Sequence, residues 1–281
     1  MAALAGCGAE ARTPEPAAAP KADRFDAPRA VRLMQTQVDA GQRPAGSEQL
    51  RALAVKLRPL LPGGRFESIP GEPGLRNIVG SLPGKGRAIV LGAHYDTLVK
   101  PEGFVGANNG ASGTAIVIGV ARALRSLDRP ADAPPIRFVL FDGEEPAEGL
   151  PEEQVDFYNA GLRGSRAYVK RHRNTTRAMV LLDYVANKGL RLPREGSSTP
   201  ALWAKVRSAA QRMGVGRFFP DDTDVSITDD HTPFLRDGVP AVDFIDWSYP
   251  GHSLEDGMDK ISVTATDAVG ETVVELLRTL R

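Results

Sequence analysis

Short, uniformly apolar runs alternate with longer amphipathic segments from about residue 26 to the end of the chain. Four of the runs are Ala88 to Leu91, Ile136 to Phe141, Met179 to Leu182 and Val239 to Ile245. Runs of this length, apolar at nearly every position, fit strands buried on both faces, as in a parallel sheet covered by helices. Between them the apolar positions recur with a helical period. Asp26-Ala27-Pro28 supplies a cap and first turn for a helix running to about Ala40, and Ser47 with Leu50, Leu53, Ala54 and Leu57 starts a second. Strand-like segments at Arg65 to Ile69 and Asn77 to Leu82 follow, punctuated by Gly and Pro. Helices are then predicted near Ser112 to Leu124, Ser165 to His172, Pro200 to Met213 and Thr264 to Leu280. With no internal repeat and no second core, the pattern predicts a single α/β domain: a mostly parallel, twisted sheet with helices on both faces.

Each of the four runs leads into a side chain able to hold a divalent metal. His94 and Asp96 follow the first, Asp142, Glu144 and Glu145 the second, Asp183 the third, and His252 the fourth. Parallel strands would deliver all of them to one carboxyl-terminal edge, where ligands bind in open α/β sheets. Asp96, two residues past His94, can accept the second N–H of a metal-bound imidazole and so fix its tautomer. Adjacent residues leaving a strand point to opposite sides, so one of Glu144 and Glu145 can bind metal while the other faces substrate as a proton shuttle. Asp183 is a carboxylate at the end of a buried strand, and such groups are paired or metal-bound. Glu148, Glu152, Glu153 and His172, in Arg171-His172-Arg173, read as solvated. Asp230-His231 precedes a turn or helical segment from Pro233 to Leu235; its Asp can hydrogen-bond another carboxylate, and its His can be structural.

Composition narrows the partners. Lys plus Arg and Asp plus Glu are equal at 35 each in 281 residues, so no overall field attracts nucleic acid or an anionic membrane. No apolar stretch reaches the ~20 residues of a membrane span. Cys7 is the only cysteine, which excludes an intrachain disulfide, a Cys-rich zinc site and a thiol nucleophile in the globular part. Leu4-Ala5-Gly6-Cys7 looks like the cleavage box of a bacterial lipoprotein, and the Ala- and Pro-rich tract from Gly8 to Lys21 suits a flexible tether. The expected division is therefore a signal remnant and tether over 1–24 and a catalytic domain over 25–281. Membrane contact is expected only through a lipid on Cys7, in the cell envelope or otherwise outside the cytoplasm.

Several motifs, in order, carry a resemblance. They are Gly92-Ala93-His94-Tyr95-Asp96-Thr97, Gly106-Ala107-Asn108-Asn109-Gly110-Ala111-Ser112-Gly113, Asp142-Gly143-Glu144-Glu145, Gly164-Ser165-Arg166, Leu182-Asp183, and Asp229-Asp230-His231 with Pro233-Phe234. From about Gly41 onward the chain resembles the zinc-dependent aminopeptidase family that includes aminopeptidase Y and the glutaminyl-peptide cyclotransferases. The resemblance implies a zinc exopeptidase-like mixed sheet flanked by helices, and peptide or protein amino termini as substrate. It also implies zinc on Asn109, Glu145 and His252, with Glu144 as general acid/base. In the two-zinc peptidases of the family, the positions of His94 and Asp183 hold a second metal; in the cyclases, the Asp183 position instead shares a hydrogen bond with an Asp matched to Asp230. Asn109 departs from the family's Asp, and a neutral amide cannot readily bridge two dications. One zinc is thus expected, with the second site in doubt. The Asp-Gly-Glu-Glu sequence, the insertion from Pro146 to Gly161 and the stretch from Asp229 to Pro240 resemble the cyclases. Gly251 stands where those enzymes have a pocket-lining Trp, a role open to Trp247 or Trp203. The expectation is cyclisation of amino-terminal Gln, with Asp183 and Asp230 orienting the amine or steadying the tetrahedral intermediate. The alternatives are hydrolysis of the first peptide bond and a metal-depleted protein that only binds peptides.

Overall fold

The computed structural model describes residues 21–147 and 156–280. The lipoprotein-like box, all but the last residue of the tract up to Lys21, and Glu148, Glu152 and Glu153 lie outside the described residues. Six strands form one sheet: β1 (Arg65–Ser68), β2 (Arg76–Leu82), β3 (Ala88–His94), β4 (Ile136–Phe141), β5 (Thr176–Leu182) and β6 (Ala241–Phe244). Their spatial order is β1-β2-β4-β3-β5-β6. β4, β3, β5 and β6 run parallel, while β1 pairs antiparallel with β2 and β2 with β4. The sheet is therefore mixed, its parallel part holding the four apolar runs.

Helices cover both faces because the strand residues alternate between two cores. Ile89, Leu91 and Ala93 of β3, with Val180 and Leu182 of β5, point into the larger core. There they meet α1 (Ala27–Val38), α2 (Glu48–Leu57), α3 (Ala111–Arg125), α6 (Pro200–Met213) and α8 (Val263–Thr279). Val90, Val139, Phe141, Met179 and Leu181 point the other way, onto Tyr168 and Val169 of α5 (Arg163–His172) and Phe234 of α7 (Thr232–Arg236). Each fully buried side chain of this size contributes about 1.5–3 kcal/mol by leaving water, which is why the central strands are apolar at nearly every position. Gly113 lets α3 lie directly on the sheet, since a Cβ there would come within 2.1 Å of the Leu182 carbonyl oxygen.

The helix starts follow their caps. Asp26 accepts from the Arg29 N–H, Ser47 from Leu50 and Ser262 from Ala265. α1 stops at Val38, two residues short of the predicted Ala40. β6 is shorter than the apolar run Val239 to Ile245, because Pro240 has no N–H to give a ladder. Among its described residues, the insertion after Glu145 holds one short helix, α4 (Phe157–Ala160), too brief to leave a periodic signal.

Candidate metal centre

From β3 the chain moves to β4 on one side and then crosses to β5 on the other, so the loops after β3 and β5 part and leave a crevice at the carboxyl edge. The crevice contains a cavity of about 220 Å³. Asn109, Glu144, Glu145, Asp183 and His252 all line it, although they come from four different strand-to-helix connections. Glu145 and His252, 107 positions apart, share this wall. Tyr184, Trp247, Ile245, Ile227 and Phe157 make its apolar side.

Asp96 organises the acidic pair. It is completely buried, and its two oxygens accept the backbone N–H groups of Glu144 at 3.3 Å and Glu145 at 3.1 Å. The same carboxylate lies 3.5 Å from Nδ1 of His94. His94 also has Glu144 at 3.6 Å from Nδ1 and Asp183 at 3.4 Å from Nε2. Burial opposes a charge on this ring, yet Glu144, Asp183 and Asp96 outweigh it and hold the His94 pKa well above its ordinary value. Burial raises Glu144 far above the carboxylate range, reinforced by the charge of Glu145. Glu145 is pushed up to about 7 by burial, with His252 and His94 pulling the other way.

Asn109 sits at the end of the loop entering α3, and two backbone bonds hold it there. The N–H groups of Asn108 and Asn109 donate to the two oxygens of Asp256, at 2.8 and 2.9 Å, and Tyr249 donates its hydroxyl to the same carboxylate at 2.7 Å. The Asn109 Nδ2 donates to Glu145 Oε1 at 2.9 Å. This leaves Asn109 Oδ1 and Glu145 Oε2 buried with no hydrogen-bond partner, as is Nδ1 of His94. Buried polar atoms are rarely left so, and the Asn109 and Glu145 oxygens, on residues that line one cavity together with the His252 imidazole, fit a divalent cation; His94 is not among the lining residues. His94, Glu144 and Glu145 each offer a ligand atom within 4.8 Å of the others.

Not every sequence-predicted position faces the cavity. Asp229 lines the wall, whereas Asp230 is not among the lining residues and is completely buried. Asp230 has no hydrogen bond to either carboxylate oxygen. Burial and the charge of Asp183 push Asp229 up to about 6. Trp203 packs in the core against Phe219 and Phe244, while Trp247 is 42% exposed at the cavity mouth and stacks over Tyr184. His172 is not simply solvated: its Nε2 lies 2.9 Å from Glu67, and its ring packs on Tyr168. Tyr184 and Asp256 have no distinguishing signal of their own in the sequence, and Asp229 enters only as part of the Asp229-Asp230-His231 motif. Gly251 gave an indirect one, because a Cβ there would stand 2.5 Å from the Tyr184 ring, which fills the place where the resemblance leads one to look for a Trp. Tyr184 is buried at φ 48°, a left-handed conformation that few residues other than glycine adopt.

Comparison with known proteins bears on fold and family. Glutaminyl-peptide cyclotransferase of Bos taurus is 27% identical over 231 residues, 70% of this chain and 64% of the relative. Aminopeptidase YwaD of Bacillus subtilis is 28% identical over 202 residues, 66% of this chain and 39% of the relative. The chain thus spans less than two thirds of the length of these relatives. Among solved structures, Porphyromonas gingivalis glutaminyl cyclase superposes with a TM-score of 0.77 at 29% identity, over 91% of this chain and 99% of that one. Bacteroides thetaiotaomicron glutaminyl cyclase bound to N-acetylhistamine gives 0.79 at 29% identity, over 92% and 99%. The sheet order, the convergence of its strand ends on one crevice, and a match of residues 77–277 to the family model agree on one conclusion: the chain belongs to Peptidase family M28.

Proposed function

We propose that this protein is a zinc enzyme acting on peptide amino termini, and that it cyclises amino-terminal Gln with release of ammonia. The observation that carries the cyclase reading is Asn109, whose amide donates to Glu145 and offers one oxygen where a bridging carboxylate would be needed. This favours a single-metal centre. The likeness to bacterial glutaminyl cyclases across nearly their whole length supports the same choice.

Glu145, His252 and, more weakly, Asn109 would hold the zinc. When bound, zinc supplies Lewis-acid polarisation of the substrate's side-chain carbonyl. Glu144, on the same wall and with a high proton affinity, takes a proton from the α-amine as that nitrogen bonds to the side-chain carbonyl carbon. It then delivers the proton to the departing amide nitrogen as the old carbon–nitrogen bond breaks, and ammonia leaves. Asp183 and Asp229 face the cavity and can orient the amine, with Asp230 behind them in the buried wall. Tyr184 and Trp247 close the apolar side and exclude water, the competing nucleophile. Attachment to the cell envelope through Cys7 is part of the same proposal; it predicts incorporation of radiolabelled fatty acid that a C7S variant loses.

The test is mass spectrometry of two peptides after incubation with the protein, one starting with Gln and one with Leu. Loss of about 17 mass units, one ammonia, from the Gln peptide is the expected result. Removal of the whole first residue from either peptide would assign an aminopeptidase, and no change in either, with zinc-loaded protein, a peptide-binding module. In an E144Q variant turnover should fall on the order of 10²- to 10⁴-fold while zinc content holds, because only the proton shuttle is removed.

A further inference from the structure

Behind the cavity wall, where β6 approaches the loop before α7, lies a second group of ligating atoms. Asp229, His231 and Asp243 each offer one atom within 4.8 Å of the others. His231 and Asp243 are fully inaccessible to solvent, and Asp229 is 3% exposed. Neither carboxylate oxygen of Asp243 has a hydrogen-bond partner, nor has Nδ1 of His231. These orphaned atoms face one another, with His231 Nδ1 3.6 Å from Asp243 Oδ2.

The opposite edge of the imidazole is held differently. Nε2 of His231 lies 2.8 Å from the Ser197 hydroxyl and 3.2 Å from Oε2 of Glu195. Glu195 is itself fixed by the backbone N–H groups of Ser197, Ser198 and Ile227. A carboxylate at Nε2 places the ring proton there and turns the Nδ1 lone pair toward Asp243. An outer carboxylate orienting an imidazole in this way is the usual companion of a metal ligand. Charge points the same way. Asp229, Asp243 and Glu195 gather around a single imidazole, and a protonated His231 could offset only one of them. A proton shared between Asp229 and Asp243 would still leave one Asp243 oxygen and Nδ1 without partners.

We propose that Asp229, His231 and Asp243 form a second cation site, distinct from the one at Glu145 and His252, that takes a divalent ion suited to imidazole and carboxylate, Zn²⁺ or Mn²⁺. Asp229 is the one member that also lines the cavity, so the ion enters from the crevice. The site stands on its own donors and does not depend on the reaction assigned above.

The test counts metal in protein whose first site has been removed. An E145Q/H252A variant, checked for native circular dichroism, is equilibrated with Zn²⁺ or with Mn²⁺, and bound ion is measured by native mass spectrometry. One retained equivalent is expected, and it should be lost when D243N is added to the same background. H231Q in that background gives an independent removal of a ligand if D243N fails to fold. Absence of bound ion in E145Q/H252A, or its survival in both D243N and H231Q, overturns the proposal. Neither result touches the peptide assay, so failure here and failure of the assigned reaction are told apart.

Discussion

At Asn109 a neutral amide donates to Glu145, and one free oxygen on each residue is turned to the cavity. Substituting Asp for this residue changes both halves of that arrangement: the donor is lost, two carboxylates face each other, and a cation becomes the natural partner of both. An N109D variant should therefore bind zinc on the order of tenfold more tightly or better, about 1.4 kcal/mol, with turnover rising alongside. Competition with a fluorescent chelator measures the first and the peptide assay the second; unchanged affinity would remove Asn109 from the ligand set. Most of the site was legible at this scale because His94, Glu144, Glu145, Asp183 and His252 each follow an apolar run, and the run fixes where the side chain emerges. Asp229 and Asp230 follow no such run. Which of two adjacent acids faces the crevice depends on how the loop before α7 is packed, and that packing is set by Glu195, Ser197 and Asp243, all distant in sequence.

Among the elements, α5 is fastened to the antiparallel edge of the sheet by Glu67 on β1. Arg65, Arg171 and His172 surround its carboxylate at 2.7, 3.5 and 2.9 Å. Burial alone would raise the Glu67 pKa, but His172 and then Arg65 outweigh it and hold it below the ordinary value of 4.5. A pKa depressed on folding contributes stability above the unfolded value and loses it as pH falls through the folded one. E67Q should therefore lower stability at neutral pH by about 1–3 kcal/mol, with the gap to the parent closing below about pH 4. Urea titrations of both proteins across that range measure it, and a gap that stays constant with pH would mean the loss is one of packing. The four parallel strands and the long helices were readable from period and caps. The strand order, with β4 inserted between β2 and β3, was not, because pairing partners are chosen by the long-range fit of two apolar faces.

For the whole molecule, balanced charge and a large two-sided core describe a stable body with a local electrostatic fault at one sheet edge. Buried carboxylates converge there with few cations, and burial raises the pKa of several. Ligand that binds only the folded state stabilises it by about 2.7 kcal/mol at a hundredfold excess over Kd. Added zinc should raise the thermal midpoint by several degrees and a chelator should reverse it, as differential scanning fluorimetry can show. A midpoint indifferent to both would mean that protons alone balance this cluster.

Asp256 gives the edge one further property. Its carboxylate bonds the backbone of Asn108 and Asn109 on one side and the hydroxyl of Tyr249, in the segment leading to His252, on the other. Two stretches separated by more than a hundred positions are thereby riveted at one point, and neither can swing without the other. Any breathing of the crevice must carry both donors together, so a ligand entering it meets a jaw that moves as one piece.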